Sequence, residues 1–205
     1  MHSTKRFLLK KGLGLTCVTN TQCKTSCLSA MFQLPLNSEG RSLSALLPYV
    51  LRVSCRDFPG QQAVAAQLDE LYGARVEPII RKRGEAQLIG FAADVIDEHF
   101  AMRGDTDLFA NTAQMMARIL LHPGEFTAEN VAREAAQLCA RIAALPDDKR
   151  TWAVRRMYQY LCDEEAFRLV ELGDIEEIRR AAPEQLAEQY QKILQTAPLE
   201  LFYCG

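Results

Sequence analysis

The sequence predicts an α+β domain of two layers, a largely antiparallel sheet with helices packed on one face. Three observations carry that prediction. The first forty residues are rich in β-formers, the long middle of the chain places apolar residues at helical spacing, and the end, LELFYCG at 199–205, returns to a strand pattern. An apolar closing strand cannot bury its backbone groups unpaired, so it has to join the N-terminal strands in one sheet. With 205 residues, 48% of them hydrophobic, the chain can build one sizeable core, and no linker or repeat divides 1–205 into smaller units.

The elements follow in order. LGLTCVT (13–19) and TSCLSAMFQLPL (25–36) read as two strands, with NTQCK between them as a turn. NSEGRS breaks the pattern, and Leu43, Leu46, Leu47, Val50 and Leu51 then fall at helical spacing, with Ser42 as a plausible cap and Pro48 expected to start or kink the helix. A second helix carries Val64, Leu68, Leu71 and Tyr72 on one face and stops at Gly73. ARVEPIIRKR and AQLIGFAAD form a hairpin around Gly84 and Glu85, and Pro78 places its first arm near an edge or a bulge.

The remainder is helical almost to the end. Leu108 to Leu121 is one amphipathic segment; Val131, Ala135, Leu138, Ile142 and Leu145 form an apolar stripe behind a Thr127 cap. Val154, Met157, Tyr158 and Leu161 define another helix, Asp174 caps a short one, and Pro183 opens the last, which carries Leu186, Tyr190, Ile193 and Leu194.

Charge and composition exclude several functions. A formal net charge of −2 leaves no basic excess for a phosphate backbone, so nucleic acid is not an expected partner. Lys10, Lys11 and two glycines interrupt the N-terminal apolar piece before a signal-peptide core or membrane span is complete, which predicts a cytoplasmic chain with no membrane association. Seven cysteines, an odd number, read as buried or free thiols of a reducing compartment. Cys17, Cys23 and Cys27 are the one cluster, and their spacing lacks the tight CxxC pair of structural zinc sites. There is no GxSxG elbow, and three scattered histidines give no Cys-His pair.

The run SALLPYVLRVSCRDFPGQQAVAAQLDELYGARVEPIIRKRGEAQLIGF, followed by LLHPGEFTAENVAREAAQL, DDKRTWAVRRMYQYLCDEEAF and the closing APLELFYCG, resembles one domain of the insulinase/pitrilysin family of zinc metallopeptidases over nearly the full chain. It looks most like the inactive YfmF-like subgroup, the elongation factor P aminopentanol-modification-associated proteins. The resemblance implies a LuxS/processing-peptidase-like metalloenzyme fold and the N-terminal domain of a protein about twice as long.

Active members of that family carry HxxEH on the first helix. Two imidazoles four residues apart share a helix face and leave zinc an open position, while the adjoining glutamate takes a proton from the bound water. On this chain the five positions are Ala45, Leu46, Leu47, Pro48 and Tyr49, and residues 42–54 contain no His, Glu or Asp at all. The family's distant glutamate ligand, seven residues after a glutamate of the long helix, corresponds to Arg141, counted from Glu134. The resemblance therefore implies neither zinc nor any other cofactor here, and no catalytic residue.

Two short motifs carry chemistry only in appearance. VIDEHF at 95–100 contains Glu98 and His99 but has Val95 where the other histidine of HxxEH would stand, so it reads as a solvated acidic stretch. Arg81, Lys82 and Arg83 at the hairpin read as a solvated turn rather than a contact for an acidic partner. His2 and His122 have no companions of ligand type.

The functional expectation is a catalytically inactive, metallopeptidase-like domain working by association, with an HxxEH-bearing relative, a second copy, or an extended peptide laid along a sheet edge as its partner. Competing with it are an active zinc-dependent endopeptidase with ligands supplied elsewhere, and a structural domain that simply dimerises.

Overall fold

The computed structural model describes residues 3–20, 22–101 and 107–205. Its strands are β1 (Ser3–Lys10), β2 (Leu13–Thr19), β3 (Thr25–Pro35), β4 (Arg75–Arg83), β5 (Ala86–Ile96) and β6 (Leu199–Cys204). Its helices are α1 (Arg41–Val53), α2 (Gln61–Glu70), α3 (Leu108–Leu121), α4 (Ala128–Ala143), α5 (Lys149–Leu161), α6 (Ile175–Arg179) and α7 (Pro183–Thr196).

The six strands form one sheet in the order β1-β2-β6-β3-β5-β4. As expected, the closing strand joins the N-terminal ones: β6 lies between β2 and β3, parallel to the first and antiparallel to the second. All other pairings are antiparallel. The hairpin turns at Gly84 and Glu85, and β4, with Pro78, is an edge strand, where a residue without an N–H is tolerated.

Alternation along the strands separates two faces. Ala30 and Phe32 of β3 and Ile89, Phe91, Ala93 and Val95 of β5 are buried beneath the helices. Residues of the opposite parity, among them Arg6, Met31, Glu200 and Phe202, point to the other side, where Arg6 and Glu200 pair at 2.7 Å.

Helix α1 is the centre of the helical layer. Leu46, Leu47, Val50 and Leu51 are at most 2% exposed and join one cluster with Ile119 of α3, Leu138 of α4, and Leu186 and Ile193 of α7. Its N-terminus is held from outside the helix. Gly173, at φ +91°, approaches so closely that a Cβ there would lie 2.6 Å from the Ser42 Cα, and the Ser42 hydroxyl bonds both the Asp174 N–H and the Glu177 carboxylate.

Several expectations are corrected. The chain has a further strand, β1, outside the two read at the N-terminus; every residue of it is exposed, so it shows no burial alternation. Ser42 is not the cap of α1. Gly40 in left-handed conformation precedes the helix, which leaves Ser42 inside its first turn, and Pro48 neither starts nor ends it. The predicted limits of α3 match the structure, and the caps at Thr127 and Asp174 accept backbone hydrogen bonds as expected. Helix α5 forms, yet none of its residues is buried: Val154, Met157, Tyr158 and Leu161 lie at the surface.

Candidate functional site

Ala45, Pro48 and Tyr49 fall at i, i+3 and i+4 of α1 and so share one helix face. Ala45 is fully buried, Pro48 is buried, and Tyr49 is half-buried against the core. Helix α4 packs on α1 through Val131, Ala135 and Leu138, a stripe one helical turn apart, and its last turn carries Arg141, where a cation complements the carbonyl end of the helix. This packing sets the Arg141 guanidinium 4.8 Å above the ring of Tyr49. Glu134, two turns earlier on α4, is 6% exposed and takes a hydrogen bond from Arg133 Nε at 3.1 Å.

The arrangement offers no hydrolytic metal centre. Zinc of the HxxEH type needs two imidazoles and a carboxylate, whereas Ala45, Pro48, Tyr49 and Arg141 supply a methyl, a pyrrolidine, a phenol and a guanidinium. Arginine stays protonated at any physiological pH and repels a dication, and its attraction to the π-face of Tyr49 already satisfies it. Among the described residues no group of three His, Cys, Asp or Glu side chains could hold a metal ion.

No family model matches the chain. It is 30% identical over 198 residues to the "Probable inactive metalloprotease YmfF" of Bacillus subtilis (strain 168), an alignment that takes in 95% of this chain and 46% of that protein. In sequence the chain is similar to a probable inactive metalloprotease.

Solved structures agree on the fold. A conserved protein from Enterococcus faecalis V583 superposes with a TM-score of 0.86 at 25% identity, over 98% of this chain and 48% of that one. The M16 inactive domain from Pseudomonas fluorescens gives a TM-score of 0.69 at 14% identity, over 99% and 46%. The chain spans about half the length of the curated relative it matches.

The remaining candidate residues are not brought together. Glu98 and His99 lie in a short 3₁₀ turn capped by Asp97, whose carboxylate accepts the His99 N–H at 2.9 Å and lies 2.7 Å from the ring Nδ1. Those bonds, the backbone one foremost, hold the Asp97 carboxyl below its ordinary value. The His99 ring points into solvent with 90% of its side chain exposed, while Val95 is buried in the core. His122 is exposed and ends α3, and His2 lies outside the described residues. Cys17 and Cys27 sit on opposite faces of the sheet: Cys17 is in register with Tyr203, and Cys27 with the next residue, Cys204. Cys23, in the turn, accepts a bond from the Asn20 amide.

One expectation about charge is overturned. Lys82 is not a solvated turn residue. Its Nζ donates to the carbonyls of Phe167 and Leu169 at 2.7 and 3.1 Å and lies 4.2 Å over the Phe167 ring. Burial lowers its pKa from the ordinary lysine value, against the pull of Glu171, which itself pairs with Arg155 at 3.0 Å. Arg81 and Arg83, of opposite parity on β4, are exposed as expected. Nothing local in RKRGE marks Lys82, because its acceptors come from a segment far along the chain.

Proposed function

We propose that this chain is a non-catalytic peptidase-like domain that acts in the cytoplasm by associating with an HxxEH-bearing relative, and that it forms part of a protein about twice its length. The observation that carries this reading is the contact of Arg141 with Tyr49, a fixed cation against a phenol at positions where the resemblance to the family expects metal ligands. Its exposed apolar side chains support association. Tyr160 and Leu161 at the end of α5 are 73% and 71% exposed, and Leu8 on the edge strand β1 is 78% exposed. An extended peptide laid along the free edge of β1 or β4 is the contact such a domain offers without catalytic groups. The free thiols fit a reducing compartment.

The test mixes the protein with an HxxEH-bearing relative from the same cell and reads the complex by size. A mixed complex is the expected result. A domain that only self-associates would ignore the relative, and chelator-sensitive peptide cleavage by this chain alone would overturn the proposal.

A further inference from the structure

Cys27 of β3 and Cys204 of β6 are direct register partners on neighbouring antiparallel strands. Such partners project to the same face of a sheet, with Cα atoms about 4.5–5.5 Å apart, inside the separation that a disulfide bridges. The register is fixed at the far end of the same strand pair, where the Gln33 N–H donates to the Pro198 carbonyl at 3.0 Å. Both thiols are partly open to solvent, whereas Cys55 and Cys139 are buried. Cys17, one strand away, faces the helical side, so it does not compete for Cys204.

We propose that Cys27 and Cys204 are a modification site, closing into a cross-strand disulfide when the protein meets a peroxide. In the first step the Cys204 sulfur attacks one peroxide oxygen. The O–O bond breaks, and the departing hydroxide takes up the thiol proton as water, leaving a sulfenic acid. In the second step the Cys27 sulfur attacks the sulfenic sulfur, the S–O bond breaks, and the hydroxyl leaves with the Cys27 proton as a second water. Two thiols and one peroxide thus yield one disulfide and two waters, the peroxide being the oxidant reduced.

The surroundings assign the two roles. Asp94, the register partner of Cys27 on β5, stands on its other side. Burial first, and then the Asp94 carboxylate, push the Cys27 thiol up to about 11, so it stays protonated and unreactive toward peroxide. Cys27 is therefore the resolving thiol, and the Asp94 carboxylate is placed to take its proton as the sulfur attacks and pass it to the departing hydroxyl.

The test treats the folded protein with hydrogen peroxide, alkylates free thiols with N-ethylmaleimide and maps the peptides by mass spectrometry. The expected product is one linked pair, Cys27 with Cys204, two hydrogens lighter than the reduced peptides and restored by dithiothreitol, with the partly open Cys17, Cys23 and Cys162 alkylated. In Cys27→Ser, dimedone should trap a sulfenic acid at Cys204. Alkylation of Cys27 and Cys204 to the same extent as Cys17, Cys23 and Cys162 after peroxide would overturn the proposal, and so would linkage of Cys204 to Cys17 as readily as to Cys27. The wild-type map decides the matter even if the variant does not fold.

Discussion

The Arg141 guanidinium stacks 4.8 Å over the Tyr49 ring, so the last turn of α4 and the middle of α1 are tied by a cation on a phenol. The pair is a partly exposed cation–π contact, worth about 0.5–1 kcal/mol. Tyr49→Ala should cost more than Arg141→Ala because it also removes ring packing against the core. The double variant should be less destabilised than the sum of the two, by about that coupling energy. Urea unfolding of the four proteins measures it; strict additivity would show that the stacking contributes nothing.

Lys82 should matter although it sits in a basic run beside a turn. Lys82→Met removes two hydrogen bonds from a charged donor to the carbonyls of Phe167 and Leu169, at a cost of about 1–3 kcal/mol. Amide exchange should quicken across residues 163–172 more than elsewhere. Arg81→Met and Arg83→Met, at exposed positions, should change stability by no more than about 0.5 kcal/mol.

Arg41 has the opposite sign. It is 8% exposed, and its Nε and Nη1 find no hydrogen-bond partner among the described residues. A buried guanidinium with two unpartnered nitrogens opposes folding, so Arg41→Met should stabilise the domain, by about 1–3 kcal/mol in chemical denaturation. A loss of stability would mean that the charge is compensated in solution.

On α5, Tyr160→Glu together with Leu161→Asp should leave the unfolding midpoint almost unchanged, because no residue of that helix is buried. The same double change should weaken or abolish a mixed complex with an HxxEH-bearing relative. Retention of full affinity in a sizing or titration experiment would move the contact surface elsewhere.

Much of this architecture was legible in the residues. The limits of α3, the Thr127 and Asp174 caps, the hairpin at Gly84 and the return of the closing strand are local signals of period, cap and turn. What was missed is non-local. β1 has both faces in solvent and therefore no alternation to read, and the acceptors of Lys82 arrive from a loop more than eighty residues away. The stripe Val154, Met157, Tyr158 and Leu161 records that α5 is amphipathic, which says nothing about whether its partner lies in the same chain. At the degenerate site the residue types could be named, but only the packing of α4 on α1 shows that Tyr49 and Arg141 touch.

Zinc content tests the central claim most directly. The Cys27→Ser/Cys204→Ser protein, chosen to remove the thiol pair as a metal trap, is dialysed against excess zinc and then metal-free buffer, and zinc per chain is measured by emission spectroscopy. The account predicts far less than one zinc per chain and no peptide cleavage that a chelator abolishes. One zinc per chain, lost in Tyr49→Phe and accompanied by chelator-sensitive cleavage, would contradict it.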